Sequence, residues 1–212
     1  MSEICASLHR LFHKLERFTF PFAIDKIPRN GIYILFEAGE AAHGADRIVR
    51  VGTHTGNAQL RSRLQQHFVK ENKDRSIFRK HIGRALLNRA GDPFLQQWNW
   101  DLTTRRDKDA YGSLLDRYKQ ELVERQVSVY IQANFSFVVF EVADKSERLS
   151  LEAKIISTIS WCDECKPSIT WLGLHSPKEK IRQSGLWLVN ELYKEPLSKQ
   201  EFMALRNMME RE

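Results

Sequence analysis

Apolar positions fall at helical spacing from the start of the chain. Ile4, Leu8, Leu11, Phe12 and Leu15 recur every three or four residues, which predicts an amphipathic helix over 3–18. Pro21 and Pro28 bracket an extended connector. Arg29-Asn30-Gly31 then turns into Ile32-Tyr33-Ile34-Leu35-Phe36, a β-branched and aromatic run that reads as a strand. The polar stretch 37–46, with Gly39 and Gly44, reads as a hairpin loop, and 47–53 as the returning strand. Leu60, Leu64 and Phe68 mark one face of a helix over 57–68, with arginines beside the apolar stripe.

Helical spacing resumes over 77–87 and 111–126, and the segment between them, with Trp98-Asn99-Trp100, reads as loop or short strand. Residues 135–142 are nearly continuous in apolar side chains, the mark of a central strand. A helix follows over 147–160, with Leu149, Ala153, Ile156 and Ile159 inward, and 186–192 reads as a further strand. Ser198, with Glu201 three residues on, opens a last helix as a capping box. No internal repeat or low-complexity linker divides the 212 residues. The expectation is a single domain over 1–212 of the α/β (α+β) class: a small antiparallel β-sheet flanked by helices, with a helical insertion at about 70–130.

Composition narrows the class. Apolar residues make up 42% and charged residues 28%, which excludes a disordered or collagenous chain. No apolar run approaches the roughly 18–20 residues that cross a bilayer. Three cysteines suit a reducing, cytoplasmic setting. The net charge of +6 is uneven: residues 47–89 hold eleven Lys/Arg against two acids, Glu71 and Asp74. A basic block in an otherwise mildly acidic chain points to a polyanion, and nucleic acid is the common one.

Two groups of residues bear on chemistry. Cys162-Asp163-Glu164-Cys165 has the spacing of half a zinc site, but the only other cysteine is Cys5, and His175 would complete only a Cys2His set. The sequence alone therefore does not read as a zinc protein. The second group is Gly31-Ile32-Tyr33, then Arg50-Val51-Gly52, then Arg63 and His67 one turn apart in the next helix, and far downstream Leu151-Glu152-Ala153.

This ordered set resembles the GIY-YIG nuclease superfamily over about 30–70 and 133–170. The resemblance implies a metal-dependent DNA endonuclease that uses Mg2+ (or Mn2+). Tyr33 would be the general base for water, Arg63 the phosphate ligand, and Glu152 the metal ligand. His67 would orient water or touch the phosphate. The second tripeptide departs from the family, with Arg50 where a tyrosine is usual. A late asparagine has no clear counterpart, Ser168 being the nearest.

A phenol, with an ordinary pKa near 10, needs positive charge beside it to act as a base. Strand alternation puts Arg50, Gly52 and His54 on one face, so Arg50 or His54 could supply that charge. Arg61, Arg79, Lys80 and Arg84 are the candidates for contact with the DNA backbone. The rival functional reading is a non-catalytic nucleic-acid-binding module that keeps the fold with a degraded site. A further rival is a basic interaction protein with no nuclease ancestry.

Overall fold

The structure, a computed structural model, describes residues 2–210. Four strands, β1 (Phe18–Thr19), β2 (Gly31–Ala42), β3 (Ala45–Gly52) and β4 (Phe135–Glu141), form one antiparallel sheet in the order β1-β4-β2-β3. The helices among the described residues are α1 (Ser2–Phe12), α2 (Leu60–Phe68), α3 (Ile77–Arg89), α4 (Leu95–Trp98), α5 (Arg105–Tyr111), α6 (Arg117–Asn134), α7 (Lys145–Ser160), α8 (Glu179–Ser184) and α9 (Lys199–Met209). The α+β arrangement is the one expected, and β4 is central as its apolar run requires. None of the described helices is long and apolar enough to cross a membrane.

Strand alternation divides the sheet into two cores. Tyr33, Leu35, Val49 and Phe137 face α2, α3 and α6. Ile32, Ile34, Phe36, Val51 and Val138 face α1, α7 and α9. A bulge resets the β2–β3 register: Leu35 pairs with Arg50 but Phe36 with Ile48, so Val49 is the extra residue.

Several elements end elsewhere than the pattern suggests. Helix α1 stops at Phe12 rather than 18, because Arg17 must lie over the Phe36 ring and reach Ser136 as Phe18 joins β4. The stretch 37–46 is not a loop. Its polar look comes from Glu37 and Glu40, both buried in β2, and the turn is only His43-Gly44. Glu37 accepts the indole N–H of Trp171 (2.7 Å) and Trp187 (2.8 Å), while Glu40 accepts from Arg47 (2.9 Å). Trp98 closes a short helix, not a strand. Residues 186–192 form no strand, although the Trp187 amide donates to the Val49 carbonyl at 2.8 Å. Ser198 and Glu201 make the capping box.

The basic block is where the structure corrects the sequence most. Helix α3 is enclosed on nearly every side, so Arg79, Lys80 and Arg84 do not form a phosphate-tracking face. Arg79 is fully buried and donates to Glu124 (2.8 and 3.0 Å), to Ser128 (2.9 Å) and to the His67 carbonyl (3.2 Å). Lys80 reaches Asp74 and the Trp100 carbonyl, and Arg84 reaches Asn99 and His81. Arg61 is tied to the carbonyls of Ile27 and Asp25. Of the acids that match these cations, Glu124 lies outside the basic block and Asp74 inside it, while Arg61 and Arg84 have neutral partners.

Removing one partner of a buried pair strands the other in a poor solvent. Arg79→Ala should therefore cost roughly 3–5 kcal/mol of stability, read from urea unfolding. A loss below about 1 kcal/mol, the range of exposed pairs, would contradict the burial of this pair.

Candidate active site

The two tripeptides are held at close quarters, and glycine is required in both. Tyr33 sits opposite Gly52 in the β2–β3 register, and a Cβ on Gly52 would collide with the Tyr33 hydroxyl. A Cβ on Gly31 would collide with the Phe140 carbonyl of β4. Tyr33 is fully buried. Its hydroxyl meets His67 Nε2 at 2.8 Å and accepts from Arg50 Nε at 3.3 Å. Arg50 also donates to the Trp187 carbonyl.

His67 comes to Tyr33 because Leu64 and Phe68, its neighbours on α2, are core residues. Its Nδ1 lies 2.7 Å from Ser76 Oγ, which caps α3 by accepting the Arg79 amide. Burial, and then the charges of Arg63, Arg50 and Arg79, hold its pKa well below the ordinary histidine value. A neutral imidazole has one donor and one acceptor nitrogen, so Tyr33 and Ser76 take opposite roles toward it.

Above this layer opens a cleft of about 390 Å³ lined by Arg50, Thr55, Arg63, His81, Glu152 and Asn190. Arg63 donates through Nη1 to Gln66 (3.3 Å) and to the Arg75 carbonyl (3.2 Å), and the rest of its fork has no hydrogen-bond partner among the described residues. Glu152 Oε1 accepts the Thr53 amide at 3.0 Å. Burial pushes the Glu152 carboxyl up, while Arg50, the Thr53 amide and Arg63 pull it back. A half-buried carboxylate with one oxygen uncommitted fits a hard cation that takes oxygen ligands and keeps its waters.

Arg50, Arg63 and Glu152 therefore share one cleft, with Tyr33 and His67 beneath it. His54 is elsewhere engaged: Nδ1 donates to the Gly56 carbonyl (2.7 Å) and Nε2 accepts the Gly31 amide (3.4 Å). It fixes the loop after β3 onto the first tripeptide and does not reach the Tyr33 hydroxyl. Ser168 is bound to Glu40, outside the cleft. The asparagine that lines the cleft is Asn190, beside Glu191. Nothing in spacing marked Asn190; only the path of the segment after Trp187 along β3 brings it there. The exposed cations near the cleft are Arg75, Lys178 and Lys180.

A family model described as GIY-YIG domain matches residues 3–212. The chain belongs to the GIY-YIG family. The GIY-YIG family is generally one of nucleases. The match spans the helices of 70–130 along with the sheet. It also removes the reading of a basic interaction protein without nuclease ancestry. No curated protein and no solved structure matches this GIY-YIG chain.

The depressed pKa of His67 makes stability depend on pH with a definite sign. Below about 6.5 the unfolded chain binds a proton that folded His67 refuses, so its contribution is present above that pH and lost on acidification. His67→Gln has no such proton to gain. The gap in unfolding free energy between wild type and variant should narrow by about 1.4 kcal/mol between pH 7.5 and 5.5. A constant gap in urea titrations would contradict a neutral His67.

Proposed function

We propose that this GIY-YIG chain is a metal-dependent endonuclease that hydrolyses phosphodiester bonds of DNA in the cleft between Arg63 and Glu152. The carrying observation is the convergence of a partly free guanidinium fork and a carboxylate with one free oxygen in one cleft, above a phenol contacted by Arg50. Arg63 holds the scissile phosphate by its planar fork. Glu152, with Asn190 beside it, would hold Mg2+ or Mn2+. The bound ion would supply charge stabilisation at the phosphoryl oxygens and a lowered pKa for water.

Tyr33 takes the proton of the attacking water. Arg50 directs its Nε–H at the Tyr33 oxygen, a contact that a second tyrosine would not make in the same way. His67 and Ser76 offer the onward path for that proton through two short hydrogen bonds. Lys178, which precedes α8, Lys180 within it, and Arg75 replace Arg79, Lys80 and Arg84 as the backbone-contacting cations.

One observation favours a second reading, a DNA-binding module without catalysis: Tyr33 has no exposed surface, and Arg50 caps its hydroxyl. Single-turnover cleavage of plasmid DNA with and without metal separates the two. Under the nuclease reading Glu152→Gln lowers the rate by about 10²–10⁴-fold, equivalent to several kcal/mol, and Tyr33→Phe does the same. Both should bind DNA as wild type does; Glu152→Gln should keep its melting temperature, whereas Tyr33→Phe, which strands His67 and Arg50, should lower it. Metal-independent binding with no cleavage by the wild type would establish the second reading. Cleavage by Glu152→Gln within a few-fold of wild type would remove Glu152 from the mechanism.

A further inference from the structure

Away from the cleft, the three cysteines of the chain meet a histidine. Cys5 lies on α1, Cys162 and Cys165 follow α7, and His43 occupies the tip of the β2–β3 hairpin. All three thiols are buried and free, and the His43 side chain is 3% exposed although it sits at a turn. Cys5 Sγ is 3.4 Å from Cys165 Sγ, and His43 Nε2 is 3.3 Å from Cys162 Sγ and 3.5 Å from Cys165 Sγ.

We infer that Cys5, His43, Cys162 and Cys165 form a structural zinc site of Cys3His type. Zinc bonds of ~2.3 Å to sulfur and ~2.0 Å to nitrogen place tetrahedral ligands about 3.8 Å (S to S) and about 3.5 Å (S to N) apart. The Cys5–Cys165 and His43–Cys162 separations fall a few tenths inside those values and His43–Cys165 matches them, so these atoms need at most draw back slightly around an ion. The sulfurs are also far outside the ~2.05 Å of a disulfide. The CxxC spacing, which looked incomplete in sequence, is completed by Cys5 from 157 residues upstream and by a histidine in a hairpin turn.

The surroundings are those of a ligating imidazole. With Nε2 toward the sulfurs, His43 Nδ1 faces Glu164 Oε2 at 3.3 Å, and Glu164 also accepts from Ser2. A carboxylate on the far nitrogen fixes tautomer and orientation in zinc sites. The turn keeps His43 at φ 53°, an uncommon left-handed conformation for a residue other than glycine, and this is what aims the ring inward. His9 also lies within the cluster, 3.8 Å from the Cys5 sulfur, but is committed otherwise: Nδ1 donates to the Cys5 carbonyl at 2.9 Å and Nε2 accepts the Ile48 amide at 3.3 Å. Four protein ligands leave no open position, so the ion would be structural. It would pin α1 and the end of α7 to the hairpin that carries Tyr33. The inference stands apart from the nuclease reading, since none of these residues lines the cleft.

The test is metal content of the full chain purified with reductant and without chelator. Native mass spectrometry and elemental analysis should find one zinc per chain, released when a mercurial blocks the thiols. Cobalt reconstitution should give the absorption of a tetrahedral thiolate site. Cys162→Ser and His43→Asn, which keeps a turn-favouring residue, should lose the metal, while His9→Gln should retain it. A wild-type chain that takes up neither zinc nor cobalt under reducing conditions would overturn the inference, as would a Cys5–Cys165 disulfide in the reductant-purified protein. Because the decisive readout is on the wild type, a variant that fails to fold does not rescue the idea.

Discussion

The hydroxyl of Tyr33 is the point on which the arrangement turns. It is buried and meets His67 and Arg50, and each partner is itself held: His67 by Ser76, the cap of α3, and Arg50 by the Trp187 carbonyl. Trp187 in turn gives its indole N–H to the buried Glu37. One set of hydrogen bonds thus joins β2, β3, α2, α3 and the segment that brings Asn190 to the cleft. A single neutral hydrogen bond contributes only about 1 kcal/mol net, but an orphaned buried partner costs about 1–3 kcal/mol. The set is therefore stable when complete and costly when broken at any member.

The same constraint explains where the positive charge goes. Arg47 pairs with Glu40, Arg79 with Glu124, and Lys73 and Lys80 with Asp74, so much of the basic block is spent inside the molecule. Such pairs contribute little over an apolar pair of similar volume, but they fix which helix faces which strand. The cations left over are few and specific. Arg63 keeps most of its fork free, and Arg75, Lys178 and Lys180 are exposed near it. The cleft is electropositive because of these residues rather than because of net charge.

Elements with strong period or continuous apolar runs were legible in the sequence: β4, α2, α7 and the capping box at Ser198 follow from pattern alone. The ordered set Tyr33, Arg63, His67 and Glu152 was also legible, and the family match agrees with the resemblance it carried. What misled was polarity that turned out to be internal. Glu37 and Glu40 made a strand look like a loop, because a buried acid satisfied by indoles or by an arginine cannot be told from a solvated one by sequence. Arg79 failed for the same reason, its partner Glu124 lying 45 residues away. His43 escaped notice as a partner of the cysteines because no spacing rule connects a hairpin tip to the ends of two distant helices.

The central claim is that the Arg63–Glu152 cleft is a cation-dependent phosphodiester site, and a metal-bound structure tests it most directly. Crystals of the chain with a short DNA duplex, soaked in Mn2+, give an anomalous signal that locates the ion without assumption about the protein. The account predicts one ion against the free oxygen of Glu152, with a phosphate oxygen on Arg63 and the Tyr33 hydroxyl facing the space between them. An ion bound elsewhere, or DNA lying on a different face with the cleft holding neither, would contradict it.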